Sequence, residues 1–117
     1  LTARYGMIHG QAVGLTLPAV IRYNAQDPEI AGIYHEMVNS SNNIHEKGSA
    51  LGATEWLANE LVNMLKAADM PTCLSDVGVE EHMLGTLADD AEQQWTGTHN
   101  PRPVRKKDFL ILYQELL

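Results

Sequence analysis

The chain has 117 residues, 44% of them hydrophobic and 20% charged, with fifteen acidic against eight basic side chains and a formal net charge of -7. That length accommodates one domain with a real hydrophobic core, and the composition is that of a folded globular protein rather than a disordered one. The acidic balance excludes a general nucleic-acid binder, which needs clustered Lys and Arg against phosphate, and no apolar run reaches the roughly 18 residues that span a bilayer.

Helical spacing recurs along the chain and strand-like alternation is absent. Five helices are expected, near 9–24, 28–39, 49–69, 79–95 and 107–116. In the first, Met7, Ile8, Val13, Leu15, Leu17, Val20 and Ile21 point to all sides, so burial nearly all round is expected. Gly10 and Gly14, on neighbouring turns, would admit another backbone closely, and Pro18 removes a donor and should kink the helix. The second opens with Asp27 as N-cap and Pro28 in the first helical position, and carries Ile30, Ile33, Tyr34 and Met37.

Ser40 to Asn43 break the pattern, and segment 42–48 reads either as loop or as a backward extension of the third helix. Leu57, Leu61, Met64, Leu65 and Ala68 mark a buried face on that third helix. After Pro71 and Thr72, a fourth stripe follows through Leu84, Leu87, Ala88, Ala91 and Trp95. Thr96 to Pro103, with a glycine and two prolines, ends it. The last helix has Asp108 in its first turn, where a carboxylate favours the dipole, and a face of Phe109, Leu112, Tyr113 and Leu116. The expected architecture is one all-α domain of about five packed helices over residues 1–117.

Few residues offer chemistry. A single cysteine, Cys73, excludes an internal disulfide and suits a reducing, cytoplasmic setting. No base stands near it in sequence, so it reads as structural. Arg102, Arg105, Lys106 and Lys107 form the densest basic cluster, which reads as a solvated loop and helix start. The scattered His35, His45, His82 and His99 read as surface residues; no His-Glu-x-x-His or Glu-x-x-His motif exists. His9 is the best candidate metal ligand because it opens the buried first helix beside Gly10. On pattern alone a lone histidine among apolar residues reads more readily as a core or cap residue, since a metal site needs about four ligands.

Three segments carry a resemblance. HGQAVGLTLPAVIRYN (His9 to Asn24), PTCLSDVGV (Pro71 to Val79) and NPRP (Asn100 to Pro103), the last followed by Asp108 and Leu112-Tyr113, stand in the order and spacing seen in iron-containing alcohol dehydrogenases. The chain resembles the C-terminal helical domain of that group III family, which includes maleylacetate reductase-like relatives. Ala19 stands where the family commonly has His after Leu-Pro, and GQAVG departs from its usual Asn and Ala pattern.

The resemblance implies a two-domain oxidoreductase that interconverts an alcohol and an aldehyde or ketone, with NAD(P) on an N-terminal nucleotide-binding domain and Fe(II) or Zn(II) in the cleft. It implies that His9 is the last of four metal ligands, and that Thr96, His99 and Asn100 lie on a loop near the cleft. The family's other ligands precede the position of Leu1, so upstream sequence, a partner nucleotide-binding domain and an inactive isolated chain are expected. Apolar surface around Tyr5, Met7 and Ile8 would then lie open and drive homo-oligomerisation. The alternative is a catalytically incomplete helical module, or truncated fragment, that acts only in oligomerisation. Substrate, NAD against NADP, and iron against zinc stay open.

Overall fold

A computed structural model describes residues 1–40 and 50–117. Six α-helices follow in order: α1 Thr2–Tyr5, α2 His9–Asn24, α3 Pro28–Ser40, α4 Ala50–Ala67, α5 Leu84–Glu92 and α6 Lys106–Glu115. Three single 3-10 turns, Ser75–Val77, Glu81–Met83 and Trp95–His99, join the later ones, and no strand occurs among the described residues. The architecture is all-α, as expected.

α2 is the centre. One flank packs on α4 and the other on α6, while α3 closes on α4 and α5 on α6. Leu15 and Leu87 (each 1% exposed), with Leu74 and Leu84, form the main core. Burying a leucine this fully stabilises a fold by about 1.5–3 kcal/mol. A second core joins Ala19 and Tyr23 of α2 to Leu112 of α6, flanked by Val20, Val104 and Phe109. At Gly14, α2 comes close to α4, since a Cβ there would lie 3.0 Å from Leu65 Cδ2. Gly10 has open space beside it, so only one of the two glycines serves as a contact point.

The helix ends follow local chemistry. The Asp27 carboxylate accepts from the Glu29 N–H at 2.9 Å, the N-cap anticipated from Asp-Pro. The Arg105 N–H donates to Asp108 at 2.9 Å, which fixes the start of α6. α4 ends with Asp69 in the left-handed region (φ 54), the Met70 N–H bonded to Leu65 O and the Asp69 N–H to Lys66 O. That is a Schellman ending with an aspartate in the position glycine usually takes. Gly78 (φ 77) turns the chain so that Val79 N–H reaches Leu74 O at 3.1 Å. The Asp76 carboxylate gathers the N–H groups of Thr72 and Cys73, which hold its pKa below the usual carboxylate value. Leu74 N–H and Ser75 Oγ in turn donate to the carbonyls of Leu116 and Leu117, both at 2.7 Å, and tie the tail down.

The structure corrects several expectations. The helix read over 79–95 is a 3-10 turn followed by a shorter α5 that stops at Glu92, so Trp95 leaves the core stripe and is 72% exposed. On α4 the buried line runs through Ala53, Thr54, Ala58 and Leu65, and Met64 faces outward with Ala68. Ile33 and Met37 of α3 also face out, leaving Ile30, Ala31 and Val38 inside. α2 is not buried all round: its first turn is open, with Val13 exposed. The patch expected around residues 5–8 splits, since Met7 is 6% exposed and sits in the main core, Tyr5 packs beside it, and only Ile8 (70%) stands out. Segment 42–48 and His45 lie outside the described residues.

Candidate functional site

The site begins where α1 meets α2. Gly6 (φ 64) ends the short α1 and turns the chain, Met7 anchors it in the core, and Ile8 in extended backbone starts α2. His9 follows as the first helical residue, exposed, with no hydrogen bond from its ring to the described residues. A fold that places an imidazole at the head of its central helix, with no partner among the described residues, leaves both ring nitrogens available to a ligand.

That imidazole borders two adjoining cavities of about 700 and 310 Å³. Thr2, Gln94, Thr96 and Tyr113 line both with it. Arg4 of α1 forms a salt bridge with Asp90 of α5 at the edge of the larger cavity, with its second contact at 3.1 Å. The pair holds the Asp90 carboxyl below its usual pKa, through the Arg4 hydrogen bond first. Burial, with the nearby Asp90 charge, pushes the Tyr113 phenol up, so Tyr113 faces His9's cavity as a neutral hydroxyl at ordinary pH.

The Trp95–His99 turn supplies the opposite wall. Thr96 lines the cavities beside His9 and also a third cavity of about 420 Å³ that His99 and Asn100 border. The His99 ring stands edge-on to Trp95, centroids 5.4 Å apart. Asn100 is already engaged: its amide and that of Asn24 exchange bonds of 2.7 and 3.0 Å, and it donates to Arg102 O at 2.6 Å. Arg102 lies 3.9 Å over the Tyr23 ring and donates to Tyr23 O and Gln26 Oε1, while the Tyr23 hydroxyl donates to Pro103 O at 2.7 Å. The NPRP segment is thus a lock between the loop and the end of α2.

Of the four residues singled out from sequence, the structure brings His9 and Thr96 to common cavities and sets His99 and Asn100 on the neighbouring one. Sequence reasoning missed Tyr113 and Phe109 as cavity walls, because their spacing on α6 is that of any core stripe. It also missed Thr2 and Gln94, which no pattern marks. His35 is not a plain surface residue: its Nδ1 is buried without a partner among the described residues, and Nε2 lies 2.8 Å from Asn39 Nδ2. His82 is solvent-facing beside Glu80. Within the basic cluster Arg102 is stacked on Tyr23 and Lys106 pairs with Asp89 at 2.5 Å. No described helix is long and apolar enough to cross a membrane.

Across residues 1–117 the chain matches the profile of the Fe-containing alcohol dehydrogenase family, C-terminal. The chain belongs to that family. Its fold agrees with a solved iron-type alcohol dehydrogenase structure, described as a 1,3-propanediol oxidoreductase, at a TM-score of 0.85 and 24% identity. The match covers 100% of this chain and 30% of the other, so the chain spans about a third of that protein's length. Comparison with curated protein sequences gives no significant match. Among the described residues no three His, Cys, Asp or Glu groups cluster as a metal site would require. A divalent metal takes about four donors, so the described residues offer such a site at most the single imidazole of His9.

Proposed function

We propose that this domain contributes one metal ligand, His9, and one wall of the cleft in an NAD(P)-dependent alcohol dehydrogenase whose nucleotide-binding half lies in a separate domain. One observation carries the reading: a histidine heading the central, well-packed helix, exposed, without a hydrogen bond from its ring to the described residues, and open to a cavity of about 700 Å³.

A divalent metal bound there supplies Lewis-acid polarisation of an alcohol or carbonyl oxygen, and NAD(P) supplies the hydride carrier. The chain's own residues have simpler tasks. α2 fixes the position of the His9 backbone, since Leu15, Ala19 and Ile21 anchor the helix behind it. Thr96, Gln94 and Tyr113 offer hydroxyl and amide groups to a polar substrate atom, while Ala12, Val13 and Phe109 present carbon and limit water. Holding a reacting group in fixed geometry is itself a large part of catalysis. Cytoplasmic location and self-association belong to the same reading; exposed Ile33, Met37 and Ile8 support the latter.

The test measures anaerobic Fe(II) and Zn(II) binding and alcohol oxidation for the domain joined to a nucleotide-binding half from the same family, with and without His9→Ala. Stoichiometric metal and NAD(P)-dependent turnover, both lost in His9→Ala, are expected. Unchanged metal binding in the variant would remove His9 from the ligand set. Absence of any metal- and NAD(P)-dependent turnover would leave a helical association module instead.

A further inference from the structure

The cavity beneath the Trp95–His99 turn plays no part in the reading above. It encloses about 420 Å³ between Val20 and Tyr23 of α2, Phe109 and Leu112 of α6, and Val104 before α6. Several polar groups on its walls are committed elsewhere: the Tyr23 hydroxyl to Pro103 O, and the Asn100 amide to Asn24 and Arg102. What the walls offer a visitor is mainly carbon. Cavities of roughly 300–1,000 Å³ with apolar walls are where small molecules bury most of their surface.

Its placement is informative. Thr96, Gly97 and Phe109 are walls of this cavity and also of the 310 Å³ one that His9 borders. On α2, His9, Val13, Thr16 and Val20 follow one another at spacings of four, three and four residues, which sets them along one helix face. His9, Val13 and Thr16 line the first cavity and Val20 the second. At about 1.5 Å of rise per residue, His9 and Val20 lie about 16 Å apart along the axis. A linear molecule with its polar end at His9 would run along this face past Phe109.

We propose that the 420 Å³ cavity takes the aliphatic tail of a long-chain primary alcohol or aldehyde whose oxygen end lies beside His9. The oxygen end rests on the alcohol dehydrogenase reading; the tail rests on the cavity alone. Burying one methylene strengthens binding about fourfold. Affinity therefore climbs steeply once the chain is long enough to pass Phe109, and short alcohols draw nothing from the cavity.

Butanol, octanol and dodecanol titrated against the metal-free domain test this, followed by methyl NMR of Val20, Val104 and Leu112. Dodecanol should bind at least a hundredfold more tightly than butanol and shift those three methyl groups. His9→Ala should retain the chain-length dependence, and Val20→Phe, which fills the cavity, should flatten it. Affinity that is flat with chain length, or shifts confined to exposed methyl groups such as Val13 and Ile33, would overturn the proposal, and both readings use the wild-type domain in case Val20→Phe folds poorly. The two hypotheses separate cleanly. Metal-dependent turnover with no chain-length dependence sinks only the tail cavity; tail binding without any metal-dependent turnover sinks only the dehydrogenase reading.

Discussion

The two ends of α2 are built on opposite terms. From Leu15 to Asn24 the helix is enclosed by α4, α6 and the NPRP loop, and even its last polar side chain, Asn24, is 3% exposed and fully engaged. From Ile8 to Val13 the same helix is mostly open, and His9 has no partner at all among the described residues. Stability is concentrated at one end and available chemistry at the other. A residue free to hold a ligand is one that the fold does not need, and a rigid helix links the two.

The closed end breaks first and hardest under mutation. Asn24→Ala leaves the Asn100 amide, itself partly buried, without its reciprocal partner, and an unsatisfied buried polar group costs about 1–3 kcal/mol. We expect a loss of about 2 kcal/mol in urea unfolding. Asn100→Ala should cost a similar amount, and the double variant should cost less than their sum. Additive losses would show that the amide pair contributes little. His9→Ala, by contrast, should stay within about 0.5 kcal/mol of the parent.

This contrast explains how much of the molecule was legible beforehand. Helix periodicity reports burial of apolar side chains, so α2, α3, α4 and α6 were placed to within about two residues. It failed where burial stopped inside a helical pattern. Trp95 continues the spacing of Leu84, Leu87 and Ala88, yet α5 ends at Glu92 because the next turn is 3-10, and a period alone cannot see that change. Met7 and Ile8 are adjacent and equally apolar; only the left-handed turn at Gly6 decides that one goes in and the other out. His9 stands out as a candidate through resemblance more than through pattern. Tyr113 and Phe109 hid among core residues, since a cavity wall and a core contact share the same chemistry.

The two glycines of α2 should respond differently to alanine. Alanine favours a helix over glycine by up to about 1 kcal/mol. At Gly10 none of the described residues lies within 4 Å of the added Cβ, so Gly10→Ala should stabilise by about 0.5 kcal/mol, reduced by its place in the first turn. At Gly14 the same Cβ meets Leu65 Cδ2 at 3.0 Å, so the end of the Leu65 side chain must shift by a few tenths of an ångström and the gain is offset. Gly14→Ala should melt at or below the parent temperature, and a Leu65→Ala background should restore its gain. Stabilisation by Gly14→Ala alone would mean that α2 and α4 pack more loosely than the open and closed ends require.

The smallest effect concerns how the open end is held. α1 is tied to α5 by Arg4 and Asp90, both solvent-exposed, and Arg4 keeps the Asp90 carboxyl below its ordinary value of 3.8. A depressed carboxylate contributes stability above the unfolded value and loses it as pH falls through the folded one. The contribution is therefore intact at neutral pH and fades as acid takes the solution below about 3.8. Salt should weaken it too, because exposed charges are screened. Hydrogen exchange at the Tyr5 and Gly6 amides, which bond to Leu1 O and Thr2 O, reports this locally. Those amides should exchange faster in Asp90→Asn at neutral pH, with the difference vanishing in acid, while amides near Leu15 and Ala19 stay protected throughout. Parallel loosening at both ends would mean that α2 transmits the loss of one anchor to the other, and that the division between a stable end and an available end does not hold.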